Sequence, residues 1–301
     1  MVDNLYVHFP FCRRKCTYCA LPSRAVNPDP GYVEGILRQL PGGPFKTVYF
    51  GGGTPARCDL RPLLKVLSAG EFTVELHPLD VTRELLAQLR GGGVNRISMG
   101  VQSFNDATLR DMGRGYTANQ AHRAFDLVRE YFDNAGIDLI VGYPGDRWEL
   151  EDWGYRHLSL YSLILEPHSI LARQNRQLPG DDEVLDRIRE LAGELARLGL
   201  RRYEISSYAV PGYECRHNLA VWRGEDYLGI GEGAESGLNR DRREKMLSLR
   251  TYLGLDADEF PEWRATLEFY QRQGLLTREG SVFRLTPRGT EVCDAILADL
   301  A

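Results

Sequence analysis

Short β-branched runs alternate with longer amphipathic stretches through the first 200 residues, and this alternation limits the possible folds more than any other feature. Leu5–His8, Thr47–Phe50, Phe72–Leu76, Arg96–Met99, Ile137–Val141 and Ser159–Leu165 read as strands. Gly31–Leu40, Leu60–Ala69, Thr82–Leu89, Asn105–Met112, Ala118–Phe132 and Trp148–His157 read as the helices between them. Strands joined through helices lie parallel, in an open sheet or one curled toward a barrel. Six such units fall short of the eight that close a barrel. The class is therefore α/β, and the spacing predicts a partial (β/α)6 barrel splayed enough to admit a large substrate.

Glu183–Leu198 reads as a further helix stopped by Gly199, and Tyr203–Ser206 as another strand. From residue 241 an arginine-rich link leads to a helix at Trp263–Gln273, strands at Leu275–Leu276 and Phe283–Leu285, and a helix at Thr286–Ile296. That order predicts a small winged-helix-like α+β domain serving as a structural cap. The expected organisation is a barrel over 1–205, an extension over 206–240 and the C-terminal domain over 241–301.

The chain has 301 residues and a formal net charge of −5, which argues against a general nucleic-acid surface. No apolar run approaches the roughly 20 residues of a membrane span. Six cysteines without secretory features suit a reducing cytoplasm.

Three of those cysteines follow the first strand with the spacing Cys12-x3-Cys16-x2-Cys19. Thiolates so placed can each bind one iron of a cubane cluster, leaving the fourth iron open to a substrate or cofactor. A structural zinc site would need a second knuckle, and Cys58, Cys215 and Cys293 stand alone.

Other unusual residues fall at the carboxyl ends of the expected strands, where parallel α/β folds gather their chemistry. Gly51–Pro55 (GGGTP) directly follows one strand, and its glycines allow close approach of backbone to a ligand. Period-two alternation in Phe72–Leu76 turns Glu75 to the face opposite Phe72 and Val74, where a cationic ligand group would be its natural partner. Gln102 and Asp138 sit near the ends of the next two strands, and Arg114 lies in a glycine turn.

Tyr6–Cys19 (YVHFPFCRRKCTYC), Gly51–Pro55 and Asn95–Phe104 (NRISMGVQSF) resemble the radical S-adenosylmethionine proteins of the coproporphyrinogen III dehydrogenase group. The likeness continues through Asp138–Pro144, Leu160–Pro167, Tyr203–Gly231 and the tail from Leu267. It implies a [4Fe–4S] cluster on Cys12, Cys16 and Cys19, with S-adenosylmethionine chelating the open iron and cleaved by one-electron reduction. It also implies S-adenosylmethionine contacts from Tyr6, Tyr18, Gly52, Gly53, Thr54, Glu75, Gln102, Arg114 and Asp138.

Within the group the chain is most similar to the heme-chaperone branch. Leu21 stands where the dehydrogenase pattern carries a fourth cysteine, and only five residues precede Tyr6 where that pattern has a long extension. Cys215–Trp222 (CRHNLAVW) resembles the branch's His-Asn-x-x-Tyr-Trp signature, which makes His217 the candidate ligand to heme iron. The resemblance thus implies heme as cargo and client hemoproteins as partners, membrane-bound respiratory enzymes among them, with oxidative decarboxylation of coproporphyrinogen III as the alternative. The chain departs from the pattern at Val221 (a tyrosine in the signature), at Glu235 (usually histidine) and in a short segment after Gly237.

Overall fold

A computed structural model describes residues 2–239 and 241–301; residues 1 and 240, each at the end of an expected segment, lie outside them. Twelve strands are present among the described residues: β1 (Asn4–Phe9), β2 (Phe45–Gly52), β3 (Ala69–Leu76), β4 (Arg96–Gln102), β5 (Ala135–Val141), β6 (His157–Ser162), β7 (Arg201–Arg202), β8 (Ser207–Ala209), β9 (Tyr227–Ile230), β10 (Leu255–Asp256), β11 (Leu276–Glu279) and β12 (Val282–Leu285). Nine of them form one sheet in the order β7-β8-β6-β5-β4-β3-β2-β1-β9. Strands β1 to β6 run parallel to their neighbours, and β9 adds in parallel on the free edge of β1. At the other end β8 and β7 continue the sheet antiparallel. The expected boundary after residue 205 is thus no break in the sheet.

The alternation of side chains explains the two faces. Leu5, Val7, Val48, Phe50, Phe72, Val74, Ile97 and Met99 are buried in one core against the crossover helices. Their neighbours Thr47, Tyr49, Glu75, Arg96, Ser98 and Asp138 turn to the opposite, polar face. The helices start where the sequence supplies caps. Thr82 Oγ1 accepts the Leu85 N–H at the head of Arg83–Gly91, and Thr117 with Gln120 makes a reciprocal capping box for Ala118–Tyr131.

Four expected elements come out differently. Trp148–His157 forms no helix: Trp148 (φ 50°) and Gly154 (φ 67°) take left-handed backbone, and His157 already belongs to β6. Aromatic packing decides this, because the buried Trp153 stacks on His122 (centroids 4.6 Å, 1° between planes) and meets Phe104 edge-on. Tyr203–Ser206 is the turn between β7 and β8, with the Ser206 N–H donating to Glu204 Oε2. Leu60–Ala69 shrinks to one helical turn at Arg61–Leu64, since Ala69 opens β3. Thr286–Ile296 breaks at Val292 into Pro287–Glu291 and Cys293–Leu300.

The C-terminal residues form a second core around Leu249, Leu267, Phe283 and Ile296. Its three-stranded sheet runs β10-β12-β11, and the helix Arg264–Arg272 lies between β10 and β11 in the chain. The Arg250 guanidinium sits 4.7 Å above the Trp222 ring, joining this module to the helix Arg216–Trp222.

Candidate functional site

A cavity of about 960 Å³ opens at the carboxyl ends of the parallel strands. Cys12, Cys16 and Cys19 line it together with Tyr18, Gly52, Gly53, Thr54, Glu75, Gln102, Arg114 and Asp138. The structure therefore brings the three cysteines to one place with all but two of the residues expected to contact a cofactor. The exceptions are Tyr6 and His217.

The loop carrying the cysteines is pinned from several sides. Lys15 Nζ donates to the Leu21 carbonyl (2.7 Å) and Ser23 Oγ (2.8 Å) and lies 4.0 Å from Cys19 Sγ. Arg114 Nη1 approaches Cys16 Sγ and the Tyr18 hydroxyl, both at 3.4 Å, while Nη2 donates to the Gly100 carbonyl at 2.6 Å. Burial pushes the Cys12 thiol up, opposed by hydrogen bonds from Ser23 and Thr54. Gly53 is required here: a Cβ would stand 2.8 Å from the Phe9 carbonyl oxygen and 3.0 Å from Cys12 Sγ. At Gly52 (φ 106°) a side chain would collide with the His8 ring.

Glu75 is built to receive a cation. Its Oε1 accepts from the Tyr49 hydroxyl (2.8 Å) and its Oε2 from the Gly52 N–H (3.2 Å). Burial, and then the nearby Asp138 carboxylate, raise its pKa to about 7. Asp138 is raised by burial as well, though Ser98 Oγ donates to its oxygens at 3.2 Å. Gln102 reaches the cavity through a register shift between β4 and β5 that leaves it in left-handed backbone (φ 74°).

The structure places His217 apart from this group. It lies in the helix Arg216–Trp222, which closes the amino-terminal end of the barrel, and it is only 5% exposed. Its Nδ1 shares a 2.8 Å hydrogen bond with Thr47 Oγ1, and its ring packs beside Tyr49 and Tyr6. Burial and then Arg96 lower its pKa to about 4, so it is neutral. Glu71 holds the helix by accepting the N–H groups of Arg216 (2.9 Å) and His217 (3.0 Å). Tyr6 joins the same layer, its hydroxyl 3.0 Å from His8 Nδ1. Asn218 alone of the His-Asn pair reaches the cavity wall.

Sequence reasoning missed Tyr49, Arg96 and His157, which also line the cavity. The signal was present for two of them, since period two puts Tyr49 and Arg96 on the polar face with Glu75. His157 was hidden by its assignment to a helix.

Fold and site define a radical S-adenosylmethionine protein, and the Radical SAM superfamily model matches residues 6–153. Heme chaperone HemW of Lactococcus lactis is 33% identical over 279 residues, covering 83% of this chain and 74% of that protein. HemW of Escherichia coli is 35% identical over 260 residues (77% and 69%), and HemW of Bacillus subtilis 30% over 300 (89% and 79%). The chain belongs to the HemW family of the radical SAM superfamily. Among solved structures, coproporphyrinogen III oxidase (HemN) from Escherichia coli superposes with a TM-score of 0.81 over 99% of this chain and 89% of that one, at 23% identity, which shows a shared fold.

The superfamily carries a [4Fe–4S] cluster and S-adenosylmethionine, and the residues fit both. Three thiols without a fourth share one cavity, a glycine stands where backbone and Cys12 Sγ crowd together, and a carboxylate waits for a cation.

Proposed function

We propose that this protein binds heme at the mouth of the cluster cavity and passes it to client hemoproteins in the cytoplasm, respiratory enzymes at the membrane among them. The observation that carries the reading is the chemistry of the mouth. Leu21 is 56% exposed and Ile164 72% exposed, and both line the opening with Leu79. Arg14 lines the same opening, and the Lys15 ammonium that pins the loop adds positive charge behind it. Exposed apolar side chains beside cations suit a flat apolar ring that carries carboxylates. Leu21 occupies the position of the fourth cysteine in the dehydrogenase pattern, which turns the site from that enzyme's chemistry toward holding a cargo.

Cys12, Cys16 and Cys19 would hold the cluster, which when loaded supplies one-electron chemistry to S-adenosylmethionine. Glu75 would pair with the ammonium of that cofactor, while Gly52, Gly53, Thr54, Gln102 and Asp138 shape the wall around it. Tyr18 and Arg114 brace the cysteine loop. No helix among the described residues is long and apolar enough to cross a membrane.

Ligation of heme iron by His217 requires that the helix Arg216–Trp222 leave its seat, because the seated imidazole is buried against Thr47. Anaerobic hemin titration of cluster-loaded protein, followed by Soret absorbance, tests the function and this residue together. Near-stoichiometric binding unchanged in His217→Ala puts the cargo at the mouth. Binding lost in His217→Ala moves it to an unseated helix. Absence of specific binding in the unmodified protein would sink the chaperone reading.

A further inference from the structure

Two side chains at the floor of the cluster cavity have polar atoms with no partner among the described residues: Nε and Nη1 of Arg96, and Nδ1 of His157. Each residue is 1% exposed, and each lines the cavity. Buried N–H groups are rarely left without acceptors, so this floor calls for a group that brings them.

The donors can be assigned. The Tyr203 oxygen accepts the Cys215 N–H (3.3 Å), and we assign its own proton to His157 Nε2, 2.8 Å away, the side-chain partner it has here. Burial, with Arg96 nearby, holds the imidazole neutral, which leaves its one proton on Nδ1. Gly136 keeps the ring uncovered, since a Cβ there would stand 3.0 Å from Nδ1. Arg96 has Glu71 as an ionic neighbour, but the hydrogen bonds of Glu71 go to the backbone N–H groups of Arg216 and His217, and Arg96 Nε and Nη1 have none. All the unmatched atoms are therefore donors, one of them on a permanent cation. Their complement is an anion that only accepts, such as a carboxylate.

We propose that Arg96 and His157 form a buried receptor for the carboxylate of a ligand at the floor of the cavity. The receptor's backbone lies below the cluster end, while the Arg96 guanidinium comes within electrostatic reach of Glu75 and Asp138. Arg96 precedes Gly100 by four residues on β4, which puts it about 13 Å nearer the amino-terminal end than the carbonyl that Arg114 grips. Two sources share this chemistry: a propionate arm of a tetrapyrrole, and a free small carboxylate. The first rests on the heme reading above, and the second stands without it.

The test uses cluster-loaded protein with Arg96→Lys, which keeps the charge and loses the guanidinium N–H groups, and His157→Gln. Sodium propionate should raise the melting temperature saturably, with at least a tenfold weaker midpoint in both variants. Heme should bind at least tenfold more tightly than heme dimethyl ester, and Arg96→Lys should remove that preference. Equal binding of heme and ester, with the propionate effect intact, assigns the receptor to free carboxylates. If heme does not bind at all, the chaperone reading fails while the propionate arm still decides the receptor. A propionate effect that is absent, or that ignores both variants, overturns the proposal unless heme is preferred over its ester through Arg96. Should Arg96→Lys fail to fold, His157→Gln carries the same comparisons alone.

Discussion

The seat of the helix Arg216–Trp222 and the lining of the cavity handle buried polarity in opposite ways. Beneath the helix Arg216–Trp222 the polar groups are matched: His217 to Thr47, Thr47 to Asn4, and Glu71 to two backbone N–H groups. Around the cavity, Glu75 and Asp138 are held away from their ordinary ionisation, and the donors of Arg96 and His157 at its floor lack acceptors. A fold keeps buried polar groups satisfied where it needs only rigidity. It leaves them unmet where a ligand is to complete them. Read this way, the His-Asn motif sits at the stabilising end and the cysteines at the reactive one.

This contrast can be broken experimentally, and the largest effect is expected at the cysteines. Replacing any one of Cys12, Cys16 or Cys19 with alanine should abolish cluster retention, measured as bound iron and visible absorbance after reconstitution. Thermal stability of the apoprotein should hardly change. If one variant kept a full cluster, the assignment of that thiolate would be wrong.

At the closed end the expected cost is to folding instead. Glu71→Ala strips a buried charge from the helix Arg216–Trp222 and from the neighbourhood of Arg96, so urea unfolding should show a loss of about 3 kcal/mol. Cluster content should stay close to normal in that variant. Equal loss of cluster and stability would mean that the two ends are not separable.

Glu75 sharpens the comparison through pH. Its folded pKa, about 7, lies above the usual value of 4.5, so the folded state binds more protons between those limits. Its contribution to stability is therefore greatest below about 4.5 and is lost as pH rises through 7. Glu75→Gln should remove this fall from the stability–pH curve, and it should weaken S-adenosylmethionine binding at pH 8 by at least tenfold. A curve identical to that of the unmodified protein would show that Glu75 is not the group that titrates.

The smallest effect is expected far from both ends. Arg189 bridges the helix Asp181–Arg197 to Glu291 of the C-terminal module at 2.7 Å, but its side chain is 54% exposed. Arg189→Ala should cost less than about 1 kcal/mol in urea unfolding. A larger loss would mean that the module's docking relies on that pair.

Much of the reactive end was legible from sequence because it obeys short-range rules. The cysteine spacing, the glycine run at the end of β2 and the period-two alternation of β3 are local patterns, and Cys12, Cys16, Cys19, Gly52, Gly53, Thr54 and Glu75 among the residues they nominated lie at the cavity. Tertiary packing hid the rest. Trp148–His157 looks helical until Trp153 finds His122 and Phe104, residues supplied by other elements. His217 reads as a heme ligand in its motif, whereas the docking of its helix beneath β2 and β3 buries it. Arg96 followed the alternation, but no local pattern reveals that its guanidinium would lack acceptors.

The placement of β9 beside β1 carries a consequence for biosynthesis. Asn4 Nδ2 donates to the carbonyl of Asp226, 222 residues further along the chain, and the two strands then pair from Asn4↔Tyr227 to Val7↔Ile230. During vectorial synthesis that edge of β1 stays unpaired until the 222 residues from Asn4 to Asp226 have been made, about 11 s at the fast end of ribosomal rates. Contacts of such long sequence separation also form slowly. The nascent cysteine loop, which directly follows β1, thus emerges well before its barrel can be sealed, and cluster insertion could precede the final closure of the fold.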